Sequence, residues 1–297
     1  MQTLSIGKSF LGLAISSLSL TAPALAIPVA DSFTYELLTE QPADSEATGN
    51  TKNFLGTVAL SNCSGALVQF GMADPTSPAL VLTNGHCVER QLPQPGEVLV
   101  NLPSRRSFNL LDREASNVLG TVNAKSMLYA TMTGTDVALY LLDQTYEEIK
   151  EQFGIDPLTV TDEKPATGTP ISIVSGYWRR TYSCFIDGFV PELREDGWIF
   201  RDAIRYSADG CAVIGGTSGA PIVTGADRRI IGINNTINEN GARCTRNNPC
   251  EVDRTGKIVV RKGIGYGEQV YWFHSCLASS GIAVDLQKPG CLLPKPM

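Results

Sequence analysis

Only two histidines occur in the 297 residues, His86 and His274, so histidine-dependent chemistry must run through one of them. His86 stands in Leu82-Thr83-Asn84-Gly85-His86-Cys87. Two other segments have the composition of reactive loops, Gly134-Thr135-Asp136-Val137-Ala138-Leu139 and Gly215-Gly216-Thr217-Ser218-Gly219-Ala220-Pro221. A serine hydroxyl is hardly ionised at neutral pH and attacks a carbonyl only if a base takes its proton as the bond forms. Ser218 is the candidate nucleophile and His86 the candidate base. Asp136 would hold the imidazole in one tautomer and stabilise the imidazolium without itself taking the proton. Each segment alone has a plainer reading: Gly-x-Ser-Gly as an ordinary turn, His86 as a structural residue at a strand end, Asp136 as a turn cap. His274 follows Ser218, the order of an α/β-hydrolase, but that nucleophile elbow needs G-x-S-x-G and position 220 is alanine. His274 is therefore read as a packing or surface residue.

Together the three segments resemble the hallmark segments of the chymotrypsin-like (trypsin-fold) serine peptidases, which read roughly T-A-A-H-C, D-[IV]-A-L and G-D-S-G-G-P. The order His, Asp, Ser is that family's, and the spacings, 50 and then 82 residues, suit two barrels that contribute His and Asp from the first and Ser from the second. The resemblance covers roughly residues 54–270. It implies a catalytic triad of His86, Asp136 and Ser218, with the backbone N–H groups of Gly216 and Ser218 facing the oxyanion. It also implies a bridge from Cys87 to Cys63, which lies 24 residues earlier in Asn62-Cys63-Ser64-Gly65-Ala66. The implied activity is serine endopeptidase hydrolysis of protein or peptide substrates through an acyl-enzyme, with no cofactor and no metal. The alternatives are an esterase using the same triad and an inactive, peptidase-like binding module.

The chain departs from the family in ways that bear on activation and specificity. Thr217 precedes the serine where digestive members carry an aspartate that pairs with a newly cut amine, and no R-[IV]-V-G-G junction is present. The G-x-S-G-x-P form, followed by Ile230-Ile231-Gly232-Ile233, looks closer to the bacterial glutamyl-endopeptidase-like branch. Glutamate-specific relatives have a histidine and a small hydroxyl residue where this chain has Asn234 and Val213, so acidic preference is not expected. Trypsin-like members place an aspartate where this chain has Ala212. Asp209-Gly210-Cys211 has the D-x-C form of the trypsin pocket, shifted by three residues, so Asp209 is either a pocket base favouring Arg or Lys or a loop residue.

The elements that must position these groups read as β-strands. Short apolar, β-branched runs recur between turn residues at Ala66–Phe70, Ala79–Thr83, Val98–Val100, Val137–Leu141, Ile171–Val174, Ile222–Val223 and Ile230–Ile233, the pattern of antiparallel strands in a sandwich or barrel. A short helix is read at Tyr146 to Phe153, a linker at Thr161 to Pro170, and a last helix from Glu268 to Leu277. With the resemblance, the expected fold is all-β: two antiparallel six-stranded β-barrels with a short C-terminal helix. The expected organisation is a signal peptide at 1–26, a leader or propeptide at 27–53, barrels at 54–160 and 161–270, and a helix and tail at 271–297.

Composition narrows the partners and the compartment. The 24 Lys and Arg against 30 Asp and Glu give a net charge of -6 without a run of like charges, which excludes a binder that works by neutralising a nucleic-acid backbone. A cationic start, an apolar stretch from Phe10 to Leu20 and Ala24-Leu25-Ala26 form a secretory signal pattern with cleavage near Ala26, too short to span a membrane. The expected product is a secreted monomer, extracellular or periplasmic. Its eight cysteines then point to four disulfides. Besides Cys63 with Cys87, proximity in sequence suggests Cys184 with Cys211, Cys244 with Cys250, and Cys276 with Cys291. A zinc half-site at Cys244 and Cys250 is disfavoured because the spacing is too wide and no histidine is near.

Overall fold

The computed structural model describes residues 52–71 and 73–296; the expected signal peptide and most of the expected leader lie outside them. The first strands are β1 (Thr57–Ala59), β2 (Ser64–Phe70), β3 (Pro78–Thr83), β4 (Val98–Pro103), β5 (Ser107–Leu111), β6 (Val118–Thr131) and β7 (Val137–Thr145). Antiparallel pairing runs β1-β5-β6-β7-β3-β2 and returns to β1, closing a six-stranded barrel, with β4 paired to β6 outside the ring. Closure removes the exposed edges that an open sheet would leave to other chains.

Helix α1 (Tyr146–Phe153) follows, where the sequence places one. Thr145 and Glu148 form a reciprocal capping box at its start, and Gly154 ends it in the left-handed region. Strand β8 (Leu158–Val160) then lies parallel to β2 and bonds a later strand on its other side. The second set is β9 (Pro170–Ser175), β10 (Arg180–Glu195), β11 (Trp198–Tyr206), β12 (Pro221–Thr224), β13 (Arg229–Ile237), β14 (Cys250–Val252), β15 (Ile258–Val259) and β16 (Gly265–Gln269). Its pairing order β13-β12-β9-β10-β11-β16 closes back on β13, again all antiparallel. The two-barrel, all-β fold is thus the one the sequence implies.

The continuous apolar runs have a simple cause. In β3, Ala79 and Val81 face the first barrel's interior, while Leu80 and Leu82 face a layer shared with Val223, Ile230 and Ile233 of the second. A strand buried on both faces has no reason to alternate. The second barrel has its own interior around Ile173, Ile204, Tyr206 and Ile222. The shared layer also takes in Phe273, Leu277, Leu286 and Leu293, so the C-terminal segment packs over the junction of the barrels.

The last helix is a correction. Only α2 (Trp272–Cys276) is helical, and Glu268 and Gln269 belong to β16, where pairing with β11 and β13 completes the second barrel. Closing the ring satisfies two strand edges, which outweighs the helical spacing of the nearby apolar residues. Four disulfides form: Cys63–Cys87, Cys184–Cys211, Cys244–Cys250 and Cys276–Cys291. Among the described residues no helix is long and apolar enough to cross a membrane.

Candidate active site

His86 sits in a single 3-10 turn, Gly85–Cys87, directly after β3. Gly85 allows that turn to press on β6, because a Cβ there would collide with the Thr131 carbonyl oxygen. Cys87 ties the turn to Cys63 at the start of β2. Asp136 precedes β7 and is fully buried. Its Oδ1 accepts from the backbone N–H of His86 at 3.0 Å, its Oδ2 lies 2.6 Å from His86 Nδ1, and its carbonyl accepts from Asn84 Nδ2 at 2.7 Å. With Nδ1–H donated to Asp136, Nε2 is left free to accept a proton. Burial opposes the charged imidazole of His86. The Asp136 charge and hydrogen bond, then the field of Glu195, outweigh that cost and hold its pKa above the ordinary 6.5.

Ser218 comes from the loop between Cys211 and β12. Its carbonyl accepts from Ser64 N–H at 2.8 Å, and the neighbouring Gly219 donates to the Asn234 carbonyl at 2.8 Å. Gly219 has φ +75°, and a Cβ there would collide with the Ser64 carbonyl oxygen and Thr83 Oγ1. The second barrel's loop is thereby pressed onto β2 and β3, which carry the histidine turn. Ser218 Oγ donates to the Asn235 carbonyl at 3.3 Å rather than to His86, and rotation about Cα–Cβ redirects it. Gly216 has φ +88°. Among the described residues, neither its N–H nor that of Ser218 donates to a protein acceptor.

His86, Asp136 and Ser218 line one cleft together with Val213 and Asn234. Asn234 is almost wholly buried, and its Oδ1 accepts from the buried Tyr206 hydroxyl at 3.0 Å. Asp209 and Ala212 are exposed and stand outside this lining. Asp209 is therefore not at the base of the pocket, and the Arg or Lys preference drawn from it falls. The reason lies in the turn: Cys211 is pinned to Cys184, and Gly210, at φ +90°, packs so closely on the Ser183 carbonyl that the preceding residue is carried outward.

The structure adds groups that the sequence reading passes over. Glu268 is fully buried behind Asp136. Asn235 Nδ2 donates to its Oε1 at 2.6 Å and Thr135 Oγ1 to its Oε2 at 3.0 Å. Burial, then the adjacent Asp136 charge, pushes its carboxyl up to about 8 against these hydrogen bonds. At neutral pH it is mostly protonated and faces Asp136 as a neutral carboxyl. Glu195 lines the cleft; the Asn247 N–H donates to its Oε1 at 2.7 Å, and burial raises its pKa. The partners lie far away in sequence, so no local motif signals either residue. His274 packs edge-on against Phe70 and places Nε2 3.2 Å from the Val160 carbonyl, away from the cleft. Ligand atoms of Cys63, His86 and Cys87 lie within 4.8 Å of one another, but both sulfurs are spent in the disulfide, which leaves no thiolate for a metal.

The two closed barrels bring a paired His and Asp and a serine loop together in one cleft. Residues 63–233 match the trypsin-like peptidase domain family, and the chain belongs to that family. No curated protein matches the chain. Among solved structures, the MamO protease domain from Magnetospirillum magneticum is 15% identical over 77% of this chain and 98% of its own, with a TM-score of 0.47. Nocardiopsis protease is 14% identical, covering 74% of this chain and 93% of its own, with a TM-score of 0.42. Cellulomonas bogoriensis chymotrypsin is 15% identical over 74% and 91%, with a TM-score of 0.39. These likenesses are distant, and the fold rests on the strand pairings above.

Proposed function

We propose that the protein is a secreted serine endopeptidase that cleaves peptide bonds through an acyl-enzyme on Ser218. The observation that carries this reading is the 2.6 Å pairing of His86 Nδ1 with buried Asp136 in the cleft that also holds Ser218. In this scheme Ser218 Oγ turns from the Asn235 carbonyl toward His86 Nε2, which takes its proton as Oγ bonds to the substrate carbonyl carbon. The imidazolium, stabilised by Asp136, then protonates the leaving amine. Water, deprotonated by His86, releases the acid and frees the serine. The N–H groups of Gly216 and Ser218 receive the negative oxygen of each tetrahedral intermediate. Losing one such donor costs about 3 kcal/mol of transition-state stabilisation.

The expected substrate is a protein or peptide, and the four disulfides suit an oxidising, exported compartment. Domain boundaries near residues 54, 160 and 270 and a monomeric state belong to the same proposal. The test is labelling of the purified protein with a fluorophosphonate. The wild type reacts and Ser218→Ala does not. A wild type that remains unlabelled refutes the reading, and a labelled Ser218→Ala refutes the assigned nucleophile. Cleavage of a mixed peptide library then separates an endopeptidase from an esterase and reads out the pocket's preference.

A further inference from the structure

Gly215 and Gly216 share a peptide with a glycine on each side, the combination least able to resist rotation of the peptide plane. The orientation of that plane decides what Ser218 meets. In a trans peptide C=O and N–H point in opposite directions, so turning the plane over puts a carbonyl oxygen where the Gly216 N–H belongs. Thr217, the next residue, closes the turn by donating its N–H to the Ile214 carbonyl at 3.0 Å, but its hydroxyl is buried without a hydrogen-bond partner and holds neither group of the Gly215–Gly216 peptide.

A tether comes from the turn between β9 and β10. Trp178 Nε1 donates to the Gly215 carbonyl at 2.7 Å. The turn that carries it is itself fixed: Trp178 N–H donates to Ser175 Oγ at 3.3 Å, Tyr177 N–H donates to Ser64 Oγ at 3.1 Å, and a Cβ on Gly176 would collide with the Val58 carbonyl. Ser64 Oγ also donates to the Gly216 carbonyl at 3.4 Å, so the turn and β2 hold both carbonyls. The two aromatic rings close over the loop, because a Cβ at Gly216 would lie 2.9 Å from Tyr177 Cδ1 and 3.0 Å from Trp178 Nε1. With its oxygen drawn toward Trp178, the Gly215–Gly216 peptide directs its N–H the opposite way.

We propose that Trp178 is a positioning residue for hydrolysis, its indole N–H locking the Gly215–Gly216 peptide with the amide hydrogen available to the oxyanion. The role rests on the peptidase reading above. Nearly half of the Trp178 surface is exposed, at 44%, so the bond can be removed with little loss of packing. Trp178→Phe keeps an aromatic ring and deletes the donor. The measurements are kcat and KM on a peptide substrate, and inhibition by a peptide aldehyde, which forms an oxyanion adduct on Ser218, beside the matching peptide alcohol, which does not.

The expected result is a fall in kcat of about tenfold or more with KM within about twofold, short of the ~100-fold or greater loss from deleting an oxyanion donor outright. Aldehyde affinity falls by a similar factor while alcohol affinity holds. A variant whose kcat and aldehyde affinity match the wild type overturns the role and leaves the peptidase reading standing. Equal loss of aldehyde and alcohol affinity also overturns it, because that pattern reports a disturbed cleft. A wild type that neither turns over substrate nor forms the adduct overturns the peptidase reading and this role with it.

Discussion

Replacing Glu268 with glutamine should change how stability depends on pH, and the size of the change follows from the burial of one proton. Glu268 is fully buried, faces the Asp136 carboxylate, and adds to the upward shift of the buried Tyr206 hydroxyl. Its carboxyl is pushed from the ordinary 4.5 up to about 8. Below pH 4.5 the group is protonated in both folded and unfolded chains and contributes no pH dependence. Between 4.5 and about 8 the unfolded chain releases the proton and the folded chain keeps it, so stability falls as pH rises by about 1.4 kcal/mol per pH unit. Above pH 8 the whole cost is present, about 5 kcal/mol for a displacement of that size.

Glutamine cannot ionise, so this cost vanishes, and the Thr135 hydroxyl can turn from donating to accepting to meet the new amide. In a Ser218→Ala background, which prevents self-cleavage, urea unfolding at pH 5, 7 and 9 gives the difference directly. At pH 5 the glutamine chain should be no more stable than its parent, and at pH 9 it should be more stable by several kcal/mol. A difference between the two chains that stays within about 1 kcal/mol from pH 5 to pH 9 refutes the buried-proton reasoning, since every other titrating group is common to both.

Two further outcomes follow from the same site. Under the proposed mechanism activity needs neutral His86, and because the Asp136 charge and hydrogen bond, then Glu195, hold its pKa above 6.5 despite burial, the acid limb of kcat/KM should lie above pH 6.5; Glu195→Gln, which removes one facing charge, should move that limb to lower pH, and an unmoved limb would mean that Glu195 does not act on the imidazole. Gly219→Ala combines a left-handed backbone with a methyl in contact with Ser64 and Thr83, so it should cost about 2 kcal/mol or more in a urea melt, together with loss of serine labelling, whereas near-wild-type stability would contradict the contact between loop and barrel.

What could be read from the residues depended on how each strand is buried. The runs in β2, β3, β7, β9, β12 and β13 are legible because they lie between a barrel interior and other packed layers, so apolar residues run nearly unbroken. The long hairpin of β10 and β11 is not found by that criterion. One side of it faces solvent, Gly188 and Pro191 interrupt it, and polar residues fill alternate positions. A different signal was present there: Asp196 and Gly197, both at positive φ, form the two-residue turn between the strands, and Asp-Gly is a strong short-range hairpin signal. Turn chemistry would have located this hairpin where hydrophobicity did not.

The site divides along the same line. His86, Asp136 and Ser218 stand out because each lies in a short segment whose residue types are constrained by its own turn. Glu268 does not, because its meaning lies wholly in partners from elsewhere: Thr135 lies 133 residues away and Asn235 lies 33 residues away. Read locally, Glu268 and Gln269 make a polar face for the helix suggested by Val270, Phe273 and Leu277. Barrel closure reverses that reading. Once β16 bonds β11 and β13, the side chain at 268 points into the space behind Asp136, where a carboxyl persists only by keeping its proton or by collecting donors. Glu268 does both, and its Asn235 partner is the residue whose carbonyl accepts from Ser218 Oγ. The strand that completes the second barrel therefore also joins the support of the aspartate to the support of the serine, a connection that exists only after both rings have closed.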